Sequence, residues 1–283
     1  MSLNLDPRQR AMLAEMGVRV WQRPPTEVMP APTTVRHLTA LAPAPAPRRV
    51  SAVPVTPAGA SAPTTASKPS ATTLEPVKTD GAPMSWPVLR QTIASCQACG
   101  LCAGRSAAVL GAAPDQGQAH WLVVGEPPQE LEEREGQPFV GAGGQLLDNM
   151  LKAINARRGA SGLGGAYLTS IVKCRPATPR NPTAQDLASC ALHLQQEIAL
   201  VQPRLILALG RFAAQSLLQA SMPEVANVPL GKLRGQVHRY NGIPVVVSYH
   251  PAYLLRSQAD KAKAWADLCL AMAALDASQN SDA

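Results

Sequence analysis

The sequence predicts an α/β fold in which a parallel sheet lies between layers of helices. Between residues 84 and 275, four short apolar runs alternate with segments whose apolar residues recur at helical spacing. The runs are almost uninterrupted in apolar residues, which is typical of strands buried on both faces. Parallel strands need a crossover connection, and the helix in each interval supplies it. The predicted order is therefore β-α-β-α-β-α-β.

The predicted elements have recognisable boundaries. The strands are, in chain order, Trp121–Val124, Tyr167–Val172, Leu205–Leu209 and Pro244–Val247. The helices between them cover residues 144–157, 183–201 and 211–219. The second helix has a clear start signal, because Thr183 is a good N-cap residue and Asp186 places an acidic side chain in the first turn.

Residues 24–83 have a composition unlike the rest of the chain. They contain 13 of the 27 prolines and no Phe, Trp or Tyr. Such a stretch cannot bury enough apolar surface to offset the entropy of ordering it, so we predict a disordered linker. The chain then divides into an N-terminal motif (1–23), this linker, a domain of residues 84–275 and a disordered tail (276–283).

The N-terminal motif has a helical pattern of its own. Asp6 and Pro7 form a helix start signal, Gly17 is a stop signal, and Met12 and Met16 lie on one apolar stripe. A helix this short is marginally stable alone. Two interpretations stay open: the motif folds on a partner protein, or it packs back on the domain of its own chain.

Charge and hydropathy restrict the class of protein only moderately. The formal net charge is +7, from 26 Lys+Arg against 19 Asp+Glu, which suits a phosphate-bearing partner without demonstrating one. No apolar run approaches the roughly 20 residues that span a bilayer. The first residues, MSLNLDPRQR, lack the apolar core of a signal peptide. We therefore expect a cytoplasmic protein without a membrane partner, and a monomer.

Side chains that could bind a ligand or act in catalysis lie at the ends of the predicted strands. Glu126 follows the first strand, Ser170 and Lys173 lie at the end of the second, and His250 follows the fourth. In open parallel sheets, ligands bind beyond the carboxyl ends of the strands. We therefore expect Glu126 and His250 to converge on one substrate. The alternative is that they have structural roles, as a helix-capping glutamate and a hydrogen-bonded core histidine.

Five of the six cysteines suggest a metal site. Cys96 and Cys99 form a C-x-x-C pair and Cys102 follows three residues later, whereas Cys174 and Cys190 are 16 positions apart. In a cytoplasmic protein such a set favours metal binding over disulfides. Four thiolates suit zinc or a [4Fe–4S] cluster, and the spacing does not choose between them. The sixth, Cys269, fits a small core residue of a C-terminal apolar helix.

Several of these segments, in this order, resemble motifs of the family 4 uracil-DNA glycosylases, which are bacterial and archaeal enzymes with an iron–sulfur cluster. The matching segments are GEPPQELEEREGQPFVG (125–141), GGQLLDNML (143–151), YLTSIVKCRP (167–176), NPTAQDLASC (181–190), PRLILALGRFA (203–213) and SYHPAYLLR (248–256). The resemblance covers residues 86–275. It implies a three-layer α/β/α sandwich around a short parallel sheet.

The resemblance also implies a cofactor and its ligands. A structural [4Fe–4S] cluster would be held by Cys96, Cys99, Cys174 and Cys190, with Cys102 as a neighbour that is not a ligand. The cluster would be structural because hydrolysis of a glycosidic bond transfers no electrons.

Roles for individual residues follow from the same resemblance. Phe139 matches the aromatic residue that stacks on a flipped uracil, His250 the histidine that stabilises the departing base, and Glu126 the acidic position that positions water or stabilises the sugar cation. Gly125, Gln129 and Ser170 would complete the substrate pocket. The residues that would contact DNA phosphates are Lys173, Arg175, Arg180, Arg234 and Arg256.

Two positions depart from the residues usual in the family. Gln129 stands where the family commonly has glycine, and Ser170 stands where it commonly has asparagine. Asparagine offers a uracil both a donor and an acceptor, whereas serine has a single hydroxyl. These departures bear on activity and on base preference.

Two classes of function follow. The first is a glycosylase that removes uracil from DNA and leaves an abasic site, with the possibility of an altered base preference. The second is a non-catalytic adaptor of the replisome, because residues 8–24 loosely resemble the N-terminal segment of the DNA polymerase III psi subunit. In that case, residues 6–23 would bind a replication protein.

Overall fold

The computed structural model describes Met12, Glu15 and the ranges 84–114, 118–176 and 180–280, with side chains up to residue 278. All of these residues belong to one compact unit. The predicted linker at 24–83 and most of the N-terminal motif lie outside the described residues. No helix in the described ranges combines the length and apolar character needed to cross a bilayer.

The described strands form a six-stranded sheet with helices in the connections. The strands are β1 (Ala119–Gly125), β2 (Arg157–Arg158), β3 (Gly162–Ser170), β4 (Leu205–Leu209), β5 (Val237–Tyr240) and β6 (Ile243–Ser248). The helices are α1 (Trp86–Ser95), α2 (Glu130–Glu135), α3 (Gly141–Ala153), α4 (Ala184–Val201), α5 (Arg211–Leu218), α6 (Leu230–Leu233), α7 (Pro251–Leu254) and α8 (Lys261–Asn280). Short 3₁₀ turns occupy Gly100–Cys102, Pro223–Asn227 and Gln258–Asp260.

The sheet confirms the predicted parallel core and adds two edges. Its order is β2-β3-β1-β4-β6-β5, and all neighbouring strands are parallel except β5 and β6. The four predicted strands are β1, β3, β4 and β6. The edges escaped prediction because β2 has two residues and β5 alternates exposed with half-buried side chains, so neither is an apolar run.

Some predicted boundaries move for local reasons. The second predicted strand ends at Ser170 rather than Val172, because the chain turns there into a loop that carries Cys174. The helix predicted to end at Arg157 ends at Ala153, and Arg157 starts β2. The capping box of Thr183 and Asp186 is present as predicted. The final helix continues to Asn280, beyond the predicted domain end at residue 275.

Helices cover both faces of the sheet, which confirms the three-layer arrangement. On one face, Trp121 and Val123 of β1 pack in a cluster with Leu147 of α3 and Leu268 of α8. On the other face lies a second cluster that includes Leu122 and Val124 of β1, Leu194 of α4 and Leu217 of α5. The alternation of β1 side chains between the two clusters is the reason that its sequence is apolar throughout.

Met12 links the N-terminal motif to the first of these clusters. Its side chain is half-buried and packs against the cluster that contains Trp265 and Leu268. This contact is the one expected if the motif packs on its own domain. The neighbouring residues of the motif, apart from Glu15, lie outside the described residues.

Candidate functional site

A large cleft in the described residues lies beyond the carboxyl ends of the parallel strands, where the sequence places the site. Its volume is about 700 Å³. Residues that follow β1, β4 and β6 line it, among them Glu126, Gly210, Arg211 and His250. The parallel order of these strands is what brings the three segments to one edge of the sheet.

Glu126 is held at the start of α5. Its Oε1 accepts a hydrogen bond from the backbone N–H of Phe212 at 2.9 Å. Burial raises the pKa of Glu126 to about 7, although the helix N–H groups and the nearby Arg211 act in the opposite direction. The capping role considered from the sequence is therefore real. The same carboxyl group also lines the cleft, so the two roles coexist.

Gly210 makes room for this carboxyl group. Its φ is +106°, and a Cβ added there would lie 2.1 Å from Oε1 of Glu126. A side chain at this position would therefore meet both an unfavourable backbone conformation and the carboxylate. The approach of Glu126 to the helix depends on the glycine that directly follows β4.

We expect Gly210→Ala to lower the free energy of unfolding more than a matched glycine substitution. Gly242→Ala is the control, since Gly242 has a φ of +85° with nothing within 4 Å of an added Cβ. The backbone conformation alone costs about 1–3 kcal/mol, and the collision with Glu126 adds about 1–3 kcal/mol. Urea denaturation measures both variants. Equal losses would contradict the tight contact between Gly210 and Glu126.

His250 is a neutral hydrogen-bond donor in this site. Its Nδ1 accepts a hydrogen bond from the backbone N–H of Ala252 at 3.3 Å, where it caps α7. Burial lowers the pKa of His250 to about 4. A neutral imidazole whose Nδ1 is an acceptor carries its proton on Nε2. His250 thus presents an Nε2–H group without a positive charge.

Phe139 stacks against His250. The ring centroids are 5.4 Å apart and the planes are inclined by 21°. Phe139 is 4% exposed and has a φ of +54°, a left-handed conformation that is uncommon for an aromatic residue. The ring also covers Gly125, where an added Cβ would lie 2.4 Å from Cζ of Phe139. A glycine at the end of β1 is therefore required for the stacked ring.

A smaller cavity of about 250 Å³ opens beside this stacked pair. Phe139, His250, Gln129 and Gly143 contribute to its wall, and Gln129 and His250 also line the larger cleft. Gln129 therefore lines a pocket, as predicted. Ser170 pairs with Gly125 in the sheet and is 2% exposed, but neither described cavity wall includes it.

The predicted DNA contact of Lys173 is wrong. Its side chain is 1% exposed, and Nζ forms a buried ion pair with Oε2 of Glu197 at 2.7 Å. The same ammonium donates to Oγ1 of Thr169 at 2.6 Å and to the carbonyl oxygen of Ser170 at 2.8 Å. Lys173 therefore fixes the loop that leads to Cys174 onto the end of β3 and is not available to a phosphate.

Arg234, also predicted to contact DNA, is engaged within the protein. Its side chain is 10% exposed, and Nε donates to Oδ2 of the buried Asp267 at 2.7 Å. The guanidinium lies 4.3 Å from the centroid of the Tyr249 ring. Asp267 also accepts the hydroxyl of Ser248 at 2.6 Å. Arg234 thus supports the segment that leads to His250.

The other predicted arginines line the large cleft. Arg256 is exposed, whereas Arg175 is ion-paired with Glu133 and Arg180 is ion-paired with Asp186. Sequence reasoning missed Arg211, an exposed arginine that lines the same cleft at the start of α5. The strand-end rule that identified Glu126 would have found it, because Arg211 follows β4 after a single glycine.

Five cysteines line one small cavity next to this site. They are Cys96, Cys99, Cys102, Cys174 and Cys190, and Arg105 and His193 share the wall. Two sulfur atoms accept hydrogen bonds: Cys174 from Nη1 of Arg105 at 2.9 Å, and Cys190 from the backbone N–H of Lys173 at 3.3 Å. Sulfur atoms surrounded by N–H donors suit thiolate ligands, so the donor set fits a thiophilic metal group.

None of the six cysteines forms a disulfide. Burial raises the pKa of Cys190 to about 11, so a bound metal group would have to displace its proton. Within the described ranges, no group of three or more His, Cys, Asp or Glu side chains is arranged to hold a metal ion.

Comparison with known proteins identifies the class to which this fold and site belong. Residues 113–269 match the family model of the uracil DNA glycosylase superfamily, and the chain belongs to that superfamily. The chain is 34% identical over 188 residues to a type-4 uracil-DNA glycosylase of Pyrobaculum aerophilum, covering 64% of this chain and 90% of that protein. Within the superfamily, it is a member of the type-4 uracil-DNA glycosylase family.

Two further relatives support this assignment. A type-4 uracil-DNA glycosylase of Archaeoglobus fulgidus is 33% identical over 167 residues, which are 58% of this chain and 79% of the relative. One from Thermotoga maritima is 31% identical over 175 residues, which are 62% and 85% of the respective chains. These comparisons give no support to the replisome adaptor considered from the sequence.

Proposed function

We propose that this protein hydrolyses the N-glycosidic bond of uracil in DNA and leaves an abasic site. One arrangement carries the proposal: the neutral His250 stacks on Phe139, and both His250 and Glu126 line the cleft at the strand ends. The names of the relatives describe this activity. We expect the protein to act as a monomer in the cytoplasm.

The base has to leave the helical stack before the site can reach it. Flipping a nucleotide costs a few kcal/mol, which contacts with the extruded base have to offset. Phe139 and Gln129 both line the smaller cavity, so the aromatic ring borders the space that an extruded base would enter. Phe139 is therefore the proposed stacking platform for uracil.

His250 would stabilise the negative charge that develops on the departing base. The glycosidic bond breaks with cationic character on the sugar and anionic character on uracil. A hydrogen bond from Nε2 of His250 to a uracil oxygen strengthens as that charge grows. Because the imidazole is neutral, it acts as a hydrogen-bond donor through Nε2–H, and uracil leaves as an anion.

Glu126 would act on the opposite partner, the sugar and the attacking water. In its ionised form, the carboxylate stabilises the cationic sugar or orients the water that attacks it. A pKa of about 7 means that the ionised form gains population as the pH rises through neutrality. The hydrogen bond from Phe212 keeps one oxygen fixed, while the residue still lines the cleft.

The phosphate backbone would follow the arginine-lined wall of the cleft. Arg175, Arg180, Arg211 and Arg256 supply the positive charge there. Contacts of this kind position the DNA and carry no information about base sequence. Base preference would instead depend on Gln129, which lines both cavities. Ser170 would affect base preference indirectly, because it pairs in the sheet with Gly125.

A [4Fe–4S] cluster held by Cys96, Cys99, Cys174 and Cys190 is the proposed cofactor. The family resemblance and the thiol-lined cavity support it. When bound, the cluster would cross-link the segment after α1 to the loop after β3 and to α4, and its chemistry would be structural. The sulfur ligands themselves would come from two distant parts of the sequence.

We expect Cys190→Ser to lose the cluster and Cys102→Ser to keep it. Both side chains line the same cavity, so the pair separates ligation from proximity. Iron and acid-labile sulfide analysis with visible absorption spectra measures the content of each variant. About four irons per chain are expected in the wild type and in Cys102→Ser. Zinc in place of iron, or loss of the cluster in Cys102→Ser, would contradict the proposed cofactor or ligand set.

The activity is tested with oligonucleotides that contain one uracil, in single strands and opposite guanine or adenine. Strand cleavage at the abasic site after alkaline treatment reports excision, and matched thymine oligonucleotides report background. We expect uracil-dependent cleavage by cluster-loaded protein. Binding to uracil-containing DNA without cleavage would contradict the proposed hydrolysis.

A further inference from the structure

The backbone of Phe139 is held by two charged side chains that neither the sequence nor the family comparison assigns to the site. The first is Glu132 of α2. Its Oε1 accepts a hydrogen bond from the backbone N–H of Phe139 at 2.6 Å, and its Oε2 accepts one from the backbone N–H of Gln129 at 2.8 Å. One carboxylate therefore joins the two ends of the segment between β1 and α3 that borders the pocket.

The second side chain is Arg158 of β2, which approaches from the opposite side of the peptide. Its Nη1 donates to the carbonyl oxygen of Pro138 at 3.0 Å, and its Nη2 donates to that of Phe139 at 2.9 Å. Its Nε donates to Oδ1 of Asp148 in α3 at 3.0 Å. The planar guanidinium thus binds two successive carbonyl groups while a helix carboxylate fixes its own orientation.

Close packing leaves this peptide little freedom to move. An added Cβ at Gly144 would lie 1.8 Å from the carbonyl oxygen of Phe139, so α3 passes directly against it. The left-handed φ of +54° is unfavourable for phenylalanine and persists only where surrounding contacts determine it. The hydrogen bonds of Glu132 and Arg158 bind the N–H and C=O groups on the two sides of this residue.

We propose that Glu132 and Arg158 are positioning residues that hold Phe139 in its left-handed conformation and keep its ring stacked on His250 before a base arrives. The inference rests on the proposed function for the identity of the ligand, uracil. If the Phe139 ring is already ordered, no conformational entropy is lost in ordering it when the base binds. A larger fraction of the bound substrate is then in reactive geometry.

The test compares Arg158→Met and Glu132→Gln with neighbours that have no contact to Phe139. Arg157→Met is the control for the first variant and Glu135→Gln for the second, since both control side chains are exposed. Arg158→Lys is the conservative variant, because an ammonium keeps the charge but lacks the planar fork for two carbonyl groups. Thermal unfolding and iron content verify that each variant is folded and loaded.

We expect the single-turnover rate of uracil excision to fall about 10- to 100-fold in Arg158→Met and Glu132→Gln, within the range that misplacement of a binding surface produces. Arg158→Lys should recover part of the loss. The dissociation constant for DNA with an abasic site should change less than threefold, since no base then needs the platform. Rates equal to those of the controls, or an equal loss of abasic-site affinity, would overturn the proposal.

Hydrogen exchange of the Phe139 amide gives a readout that does not depend on catalysis. We expect faster exchange at this amide in both variants and wild-type exchange in the controls. If the wild type excises no uracil, the proposed function is wrong. Hydrogen exchange would still show whether Glu132 and Arg158 hold the Phe139 backbone. Unchanged exchange in Arg158→Met and Glu132→Gln would overturn the positioning role itself.

Discussion

Replacing His250 by alanine should lower the single-turnover rate of uracil excision about 100- to 1,000-fold, the usual effect of removing one donor to a developing anion. The residue contributes through Nε2–H, because Nδ1 is occupied by the N–H of Ala252. The pKa of about 4 leaves the imidazole neutral throughout the range from pH 6 to 9. We therefore expect the rate to show no step from His250 in that range.

The matched variant His250→Asn separates catalysis from helix capping. Asparagine is itself a good N-cap residue, so its side-chain oxygen can accept the N–H of Ala252 as Nδ1 does. Alanine loses the cap and about 1 kcal/mol of stability with it, whereas asparagine should retain most of that stability. Both variants should lose excision to a similar degree. An asparagine variant with the wild-type rate would reduce His250 to a capping residue.

Glu126→Gln should have opposite effects on activity and stability. At pH 8, we expect the rate of excision to fall about 100- to 10,000-fold, the range for losing a positioned acid or base. In the wild type, the rate should rise with pH through the pKa of about 7, because the ionised carboxylate is the active form. The glutamine variant should lack this step, since its amide does not titrate.

The stability of the two proteins should diverge over the same range of pH. Because burial raises the folded-state pKa of Glu126 from 4.5 to about 7, the native protein binds more protons than the unfolded chain between these values. Wild-type stability therefore decreases as the pH rises through this window, and the full loss is present above pH 7. Glutamine does not ionise and therefore does not cause this loss of stability. Glu126→Gln should be at least as stable as wild type at pH 8.

Urea denaturation at pH 5 and pH 8, with the pH–rate profile, measures both effects. The difference in unfolding free energy between Glu126→Gln and wild type should shrink as the pH falls. Glu130→Gln is the control, because Glu130 lines the same cleft but is exposed. The quantity to compare is the unfolding free energy of Glu126→Gln minus that of wild type. If this difference is smaller at pH 8 than at pH 5, the ionisation assigned to Glu126 is contradicted.

The sequence was sufficient to predict the four core strands and the edge of the sheet at which the site lies. Uninterrupted apolar runs identify strands buried on both faces, and β1, β3, β4 and β6 were found in this way. The strand-end rule then placed Glu126 and His250 at the same cleft. These inferences succeed because burial and strand direction leave local, periodic signals in the chain.

Tertiary structure decided which polar side chains are free and which are already bound. Lys173 looks like a phosphate ligand in sequence, but it pairs with Glu197, which lies 24 positions away on α4. Arg234 pairs with Asp267, 33 positions away. No periodic signal connects residues at such separations, because their contact arises only when helices pack on the finished sheet.

The same limit explains the residues around Phe139. From the sequence, Phe139 is one aromatic residue in the segment QPFVG, with no sign of a left-handed backbone. Glu132 and Arg158 are two charges among many, and only folding brings them to its N–H and C=O groups. The sequence by itself determined the fold class, the edge of the sheet that carries the site and the chemically capable residues there. Which side chains meet was decided by the tertiary structure, because such contacts depend on packing between elements that are distant in the chain.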